Sequence, residues 1–118
     1  MTREDGPRLR LRIEFDGAHT LGPGKIQLLE AMQENGSISA AARAMGMSYR
    51  HAWEMLDDVN RCFGGRVFET EAGGRAGGGA RVTDFGRELV AKYHALREKA
   101  DEALEADLLE LERARTRS

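Results

Sequence analysis

Four consecutive residues, Ser48-Tyr49-Arg50-His51, offer a hydroxyl, a phenol, a guanidinium and an imidazole with no acid among them. At the start of a helix such a set can hydrogen-bond base edges and phosphates. A guanidinium placed there bonds guanine O6 and N7 together, a contact worth about 1–3 kcal/mol of base discrimination. Ser48 and the helix N-terminus suit a phosphate oxygen. A second group follows, with Arg75 inside Gly73-Gly74-Arg75-Ala76-Gly77-Gly78-Gly79 and Arg81 close behind. Glycines let a backbone approach a phosphate or a minor groove closely, and arginine supplies the charge.

Other chemistry is poorly provided for. No nucleophile–base pair or paired carboxylates stand in a recognisable setting, so an enzyme is not expected. His19, His51 and His94 do not fall at metal-ligand spacing with Cys62 or with one another, so neither a metal nor a cofactor is expected. The glycine segment lacks the Lys-Ser/Thr that opens a phosphate-binding helix and is not placed as a dinucleotide fingerprint. Cys62, beside Phe63, reads as a small buried or half-buried side chain.

The elements around these residues must fit in 118 residues with 41% hydrophobic side chains, 18 Lys+Arg and 20 Asp+Glu. That length suits one core and leaves no room for two. A single cysteine excludes an intramolecular disulfide and fits a reducing compartment. The charged N-terminus shows no signal peptide and no stretch is apolar for long enough to span a bilayer, so a cytoplasmic protein without membrane contact is expected.

Leu9, Leu11, Ile13 and Phe15 alternate with charged residues, which predicts a half-buried strand followed by a turn at Asp16-Gly17. Gly22-Pro23-Gly24 is expected to break regular structure before a helix over 25–35, with Ile26, Leu28, Leu29 and Met32 at helical spacing and Asn35-Gly36 as its stop. Ser37 can cap an alanine-rich helix over 39–45 that ends at Gly46. Ser48 caps the next, whose stripe is Tyr49, Ala52, Trp53, Leu56 and Phe63. Apolar runs at Val67-Phe68 and Val82 flank the glycine segment as a hairpin. Thr83 can cap a final helix from Asp84 to Arg115, about 30 residues and about 45 Å long. Its stripe is Leu89, Tyr93, Leu96, Ala100, Leu104, Leu108 and Leu111.

That order of elements describes a mainly α fold with a small β-hairpin: a winged helix-turn-helix over residues 1–83 and a long C-terminal dimerisation helix over 84–118. The run Gly36-Ser-Ile-Ser-Ala-Ala-Ala-Arg-Ala-Met-Gly-Met-Ser-Tyr-Arg-His-Ala-Trp53, with Gly73-Gly-Arg-Ala-Gly-Gly-Gly-Ala80 and Val82-Thr83-Asp-Phe-Gly86, resembles the N-terminal domain of molybdate-dependent transcriptional regulators of the ModE type. More loosely it resembles the LysR-type winged helix. The resemblance implies a homodimer on double-stranded operator DNA, with Ser48, Tyr49, Arg50 and His51 on the recognition helix, Arg75 on the wing and the last helix holding the dimer. Full-length regulators of this type continue into C-terminal oxyanion-binding domains where this sequence ends at Ser118. Molybdate sensing is therefore not carried over, and either regulation without that ligand or a separate effector-sensing protein is expected. The candidate DNA-contacting set is Ser37, Ser39, Ser48, Tyr49, Arg50, His51, Arg75 and Arg81.

Charge alone does not support that reading. Residues 1–83 are neutral overall and residues 84–118 carry −2. The recognition helix itself holds Glu54, Asp57 and Asp58. These acids motivate an alternative, a winged-helix module that dimerises and docks a protein partner without binding DNA. Tyr49 is open to two readings, core or contact, and His51 to exposure alone. Trp53 is expected in the core, in phase with Leu56. The stripe on the last helix is too long to bury on so small a core, and a second copy of the chain would cover it. The regulatory reading rests on a polar leading turn facing outward with the aromatic side behind it sunk into the interior. A leading turn plugged by another part of the chain, or a Trp53 that points to water, would take away its foundation.

Overall fold

The computed structural model describes residues 6–71 and 79–116. In chain order the elements are β1 (Ile13–Glu14), β2 (Thr20–Leu21), α1 (Pro23–Asn35), α2 (Ile38–Met45), α3 (Tyr49–Phe63), β3 (Phe68–Glu71), β4 (Gly79–Val82), α4 (Asp84–Ala103) and α5 (Glu105–Thr116). The mainly α winged helix-turn-helix predicted from the sequence is the fold observed.

Local chemistry sets the helix boundaries. Ser37 Oγ accepts a hydrogen bond from the Ala40 N–H, Ser48 Oγ from the His51 N–H and Thr83 Oγ1 from the Gly86 N–H, each at 3.0 Å. A cap of this kind typically stabilises a helix by about 1 kcal/mol. Gly36 and Gly46, at φ +78° and +72°, stop α1 and α2 in the left-handed region, where a side chain would be strained.

Two boundaries differ from expectation. Pro23 opens α1 instead of preceding it, because the first helical position needs no N–H and favours the fixed φ of proline. The N-terminal strand shrinks to Ile13–Glu14, paired antiparallel with Thr20–Leu21. Beyond that ladder Phe15 has no sheet to lie on; it is 48% exposed and meets only the edge of Phe63, with ring centroids 5.4 Å apart.

α1 lies at the centre, against α2, α3, β4 and α4, and buries Ile26, Leu28, Leu29 and Met32. The small residues Ala41, Ala42 and Ala52 let α2 and α3 approach it closely. The β3–β4 hairpin pairs Phe68 with Val82 and closes the core with Val67 and Ala80. The Ala80 N–H donates to the Gly36 carbonyl at 2.9 Å, and the Val67 N–H donates to Asn60 Oδ1 at 2.7 Å. The hairpin is thereby fixed to the α1–α2 turn and to α3.

The last helix departs from the sequence reading in two ways. It is interrupted at Leu104 (φ −107°, ψ 6°), although hydrogen bonds from the Leu104 N–H to the Ala100 carbonyl and from the Leu108 N–H to the Leu104 carbonyl run across the break. No glycine or proline stands there; α4 has left the core by that point, so no packing enforces regular geometry. In addition, Leu89 and Tyr93, expected in the dimerisation stripe, are 8% and 2% exposed in the protomer's own core. The Tyr93 hydroxyl donates to the Leu11 carbonyl at 2.6 Å. The core therefore runs across the boundary expected at residue 83.

Candidate nucleic-acid interface

The helix-turn-helix places the leading turn of α3 at the surface. Tyr49 is 54% exposed, and Arg50 and His51 are exposed with it, while Ala52, Leu56 and Val59 anchor the helix. Tyr49 lies in phase with Leu56, but the first turn projects past the core, so its ring faces solvent. Ser48 stays exposed and caps the turn.

Trp53 corrects the sequence reading: it is 40% exposed. At 3.6 residues per turn it lies roughly 100° around α3 from the line through Ala52, Leu56 and Val59. The inner face is the one that these smaller residues define. The Trp53 ring lines a groove of about 460 Å³ between α3 and the base of the hairpin, with Asp57, Arg61, Arg66, Phe68 and Thr70. The outward polar turn survives and the sunken aromatic side does not. The helix is held by aliphatic residues instead, so of the two features on which the regulatory reading rested only the outward polar turn remains.

The other expected contacts are distributed around this turn. Ser37 is half-buried as the cap of α2, and Ser39 is exposed on that helix's first turn. Arg81 is exposed on β4, where its guanidinium lies 3.3 Å from Glu69 across the ladder. Arg75 falls outside the described residues.

The acids of α3 prove to be internally matched. Arg50 Nε lies 3.4 Å from Glu54, and Arg61 Nε lies 3.3 Å from Asp57. Asp58 faces inward: Lys25 Nζ donates to its Oδ2 at 2.6 Å and also to the Thr20 carbonyl at 2.8 Å, and His19 Nδ1 stands 3.1 Å from its Oδ1. Burial disfavours the Asp58 carboxylate, but the hydrogen bonds and charges of Lys25 and His19 outweigh it, so its pKa lies below the ordinary value. Asp58 is a clamp joining α3 to α1 and β2, a role that its sequence neighbours did not signal. Burial, reinforced by the carboxylates of Asp58 and Asp16, raises the pKa of half-buried Cys62, which favours the unreactive thiol.

Among the described residues no helix is long and apolar enough to cross a membrane, and no three His, Cys, Asp or Glu gather as metal ligands.

Known proteins resemble the chain as follows. The molybdenum transport protein ModE of Azotobacter vinelandii is 38% identical over 96 residues, covering 81% of this chain and 36% of that protein. The DNA-binding transcriptional dual regulator ModE of Escherichia coli is 35% identical over 88 residues, covering 72% and 34%. The chain thus spans about a third of the length of these curated relatives. Among solved structures, the CbnR DBD–DNA complex matches with a TM-score of 0.56 at 17% identity, covering 71% of this chain and 91% of that one, a likeness of fold. Residues 24–87 match the family described as bacterial regulatory helix-turn-helix proteins, lysR family, and the matched span runs from α1 through the α2–α3 turn and the hairpin into α4. With more than half its length inside that match, the chain belongs to the LysR family of bacterial regulatory helix-turn-helix proteins.

Proposed function

We propose that this chain is a sequence-specific DNA-binding transcriptional regulator that acts as a homodimer, with α3 in the major groove and the β3–β4 hairpin as a wing. The observation that carries the reading is the solvent-facing turn Ser48–His51 on a helix whose acids are each matched by a cation. Arg50 is 88% exposed at its side chain, and its pair with Glu54 is a surface pair worth about 0.2–1 kcal/mol. A bidentate contact to guanine outweighs that. The names of the relatives support a place in molybdenum-related gene control. The protein-docking alternative loses its motive, because Glu54, Asp57 and Asp58 are not a free acidic face.

Dimerisation is supported by the part of the stripe beyond the core. Leu96, Leu104 and Leu111 are 50%, 40% and 66% exposed on α4 and α5 and at their junction, with Ala100 and Leu108 beside them. Two copies would place their recognition helices about one DNA turn or a multiple of it apart, on the order of 34 Å per turn.

Fluorescence anisotropy with duplexes from the gene's own promoter region tests the reading. Arg50→Ala is expected to lower affinity for the preferred duplex about tenfold or more while leaving random DNA nearly unaffected. Equal losses on both duplexes would remove Arg50 as a base reader. No binding at low salt would end the proposal.

A further inference from the structure

A second basic site lies away from α3. A pocket of about 310 Å³ is lined by Arg8, Arg10, Pro23, Gln27, Tyr93 and Arg97, with Leu9 completing it. Among the described residues no acid lines it, and none of α2, α3 or the hairpin takes part. It sits between the N-terminal segment, the first turn of α1 and the turn of α4 that leaves the core.

Two of the three charges here lack the matching acid that each cation of α3 has. No hydrogen bond or ion pair joins Arg8 or Arg10 to an acid among the described residues. Arg97 Nε is buried and lacks any hydrogen-bond partner; Asp101 Oδ2, at 3.9 Å, is near enough to attract the charge and too far to accept the bond. The Arg97 side chain is 35% exposed, so the guanidinium's outer N–H groups reach the pocket while Nε alone is buried without a hydrogen-bond partner. The first turn of α1 adds to the positive potential, since it has neither a side-chain cap nor an acid.

We infer that this pocket binds the phosphoryl group of a small molecule, held by the guanidiniums of Arg8, Arg10 and Arg97 with the Gln27 amide beside them. Arginine forks match tetrahedral oxyanions by paired N–H···O bonds. The volume exceeds that of a bare phosphate, and Leu9, Pro23 and the Tyr93 ring offer apolar contact to the rest of a phosphate ester. Tyr93 already fastens Leu11 to α4, so occupancy extends that fastening to Arg8 and Arg10. The ligand thus braces the N-terminal segment against the base of the helix that carries the exposed leucines. The inference is independent of DNA binding.

Backbone amide NMR of the full chain tests it, with inorganic phosphate in one titration, ribose 5-phosphate in a second and sodium chloride at matched ionic strength in a third. Saturable shifts confined to residues 8–11, 24–27 and 93–97 are expected with both phosphates and not with chloride. Ribose 5-phosphate is expected to bind more tightly than phosphate; equal affinity would overturn the assignment to an ester. Arg10→Ala with Arg97→Gln is expected to weaken binding about tenfold or more. Should that pair fail to fold, Arg10→Ala alone, at an exposed position, decides the matter by the same loss. Equal shifts with chloride, or unchanged affinity in the variants, would refute the site. Displacement of the bound phosphate by duplex DNA would make the occupant a DNA phosphate, and the small-molecule inference would fall.

Discussion

Replacing Gly86 with alanine sets two physical effects against each other. Gly86 lies in the first turn of α4, where alanine's helix propensity would stabilise the protein by up to about 1 kcal/mol. The tertiary structure forbids that gain. A Cβ at Gly86 would stand 2.4 Å from the Val67 carbonyl oxygen and 2.6 Å from Val82 Cγ1, whereas ordinary contact begins near 3.4 Å. The Val67 carbonyl would have to withdraw by roughly 1 Å, yet it accepts the Thr83 N–H at 3.0 Å. Thr83 in turn caps α4 and donates its hydroxyl to the Arg66 carbonyl at 2.6 Å. Overpacking of this kind costs about 1–3 kcal/mol, and loss of the Thr83 bond adds about 1 kcal/mol. Against the propensity gain, the net expectation is a destabilisation of about 1–3 kcal/mol. For a domain of this size that lowers Tm by roughly 5–20 °C. Urea unfolding followed by circular dichroism measures it directly, with the midpoint falling and the slope unchanged. The same displacement loosens the hairpin on α4, so DNA affinity should fall with stability. An alanine variant as stable as the parent, or more stable, would refute the close approach of α4 to the strand.

Three further outcomes are expected. Asp58→Asn should cost about 1–3 kcal/mol at neutral pH, because Lys25, with a side chain only 14% exposed, loses its carboxylate. The Asp58 pKa is depressed in the fold, so its contribution is present above the ordinary value of 3.8 and is lost as pH falls through the lower folded value; urea midpoints measured from about pH 6 to about pH 2 should show a shallower acid limb in the variant. Trp53→Ala should cost well under the roughly 3–5 kcal/mol of a buried aromatic deletion, since the ring is 40% exposed, and should change DNA affinity more than Tm; a loss of full core size would restore it to the interior. Leu104→Glu with Leu111→Glu should convert the proposed dimer to monomer in sedimentation at micromolar protein. Association would have to desolvate two carboxylates on that exposed stripe; a dimer of unchanged mass would place the interface elsewhere.

The sequence alone determined what depends on near neighbours. Ser37, Ser48 and Thr83 cap helices through hydrogen bonds three residues along the chain, and Gly36 and Gly46 stop them by backbone conformation, so the order of elements and the turn at Ser48–His51 were legible from local chemistry. The resemblance carried by Gly36–Trp53 added the family. What the tertiary structure alone decided concerns residues far apart in the chain. Trp53 faces out because the shape of the core, not its hydrophobicity, selects the inner face of α3. Leu89 and Tyr93 drop out of the stripe expected to dimerise because α4 begins on the core, and the Tyr93 hydroxyl finds Leu11 at a separation of 82 residues. Asp58 turns from a repulsive acid into a clamp because Lys25 and His19 are folded against it. Arg8, Arg10 and Arg97 share one pocket for the same reason. Periodicity specifies which side of an element is apolar, but only packing specifies what that side meets.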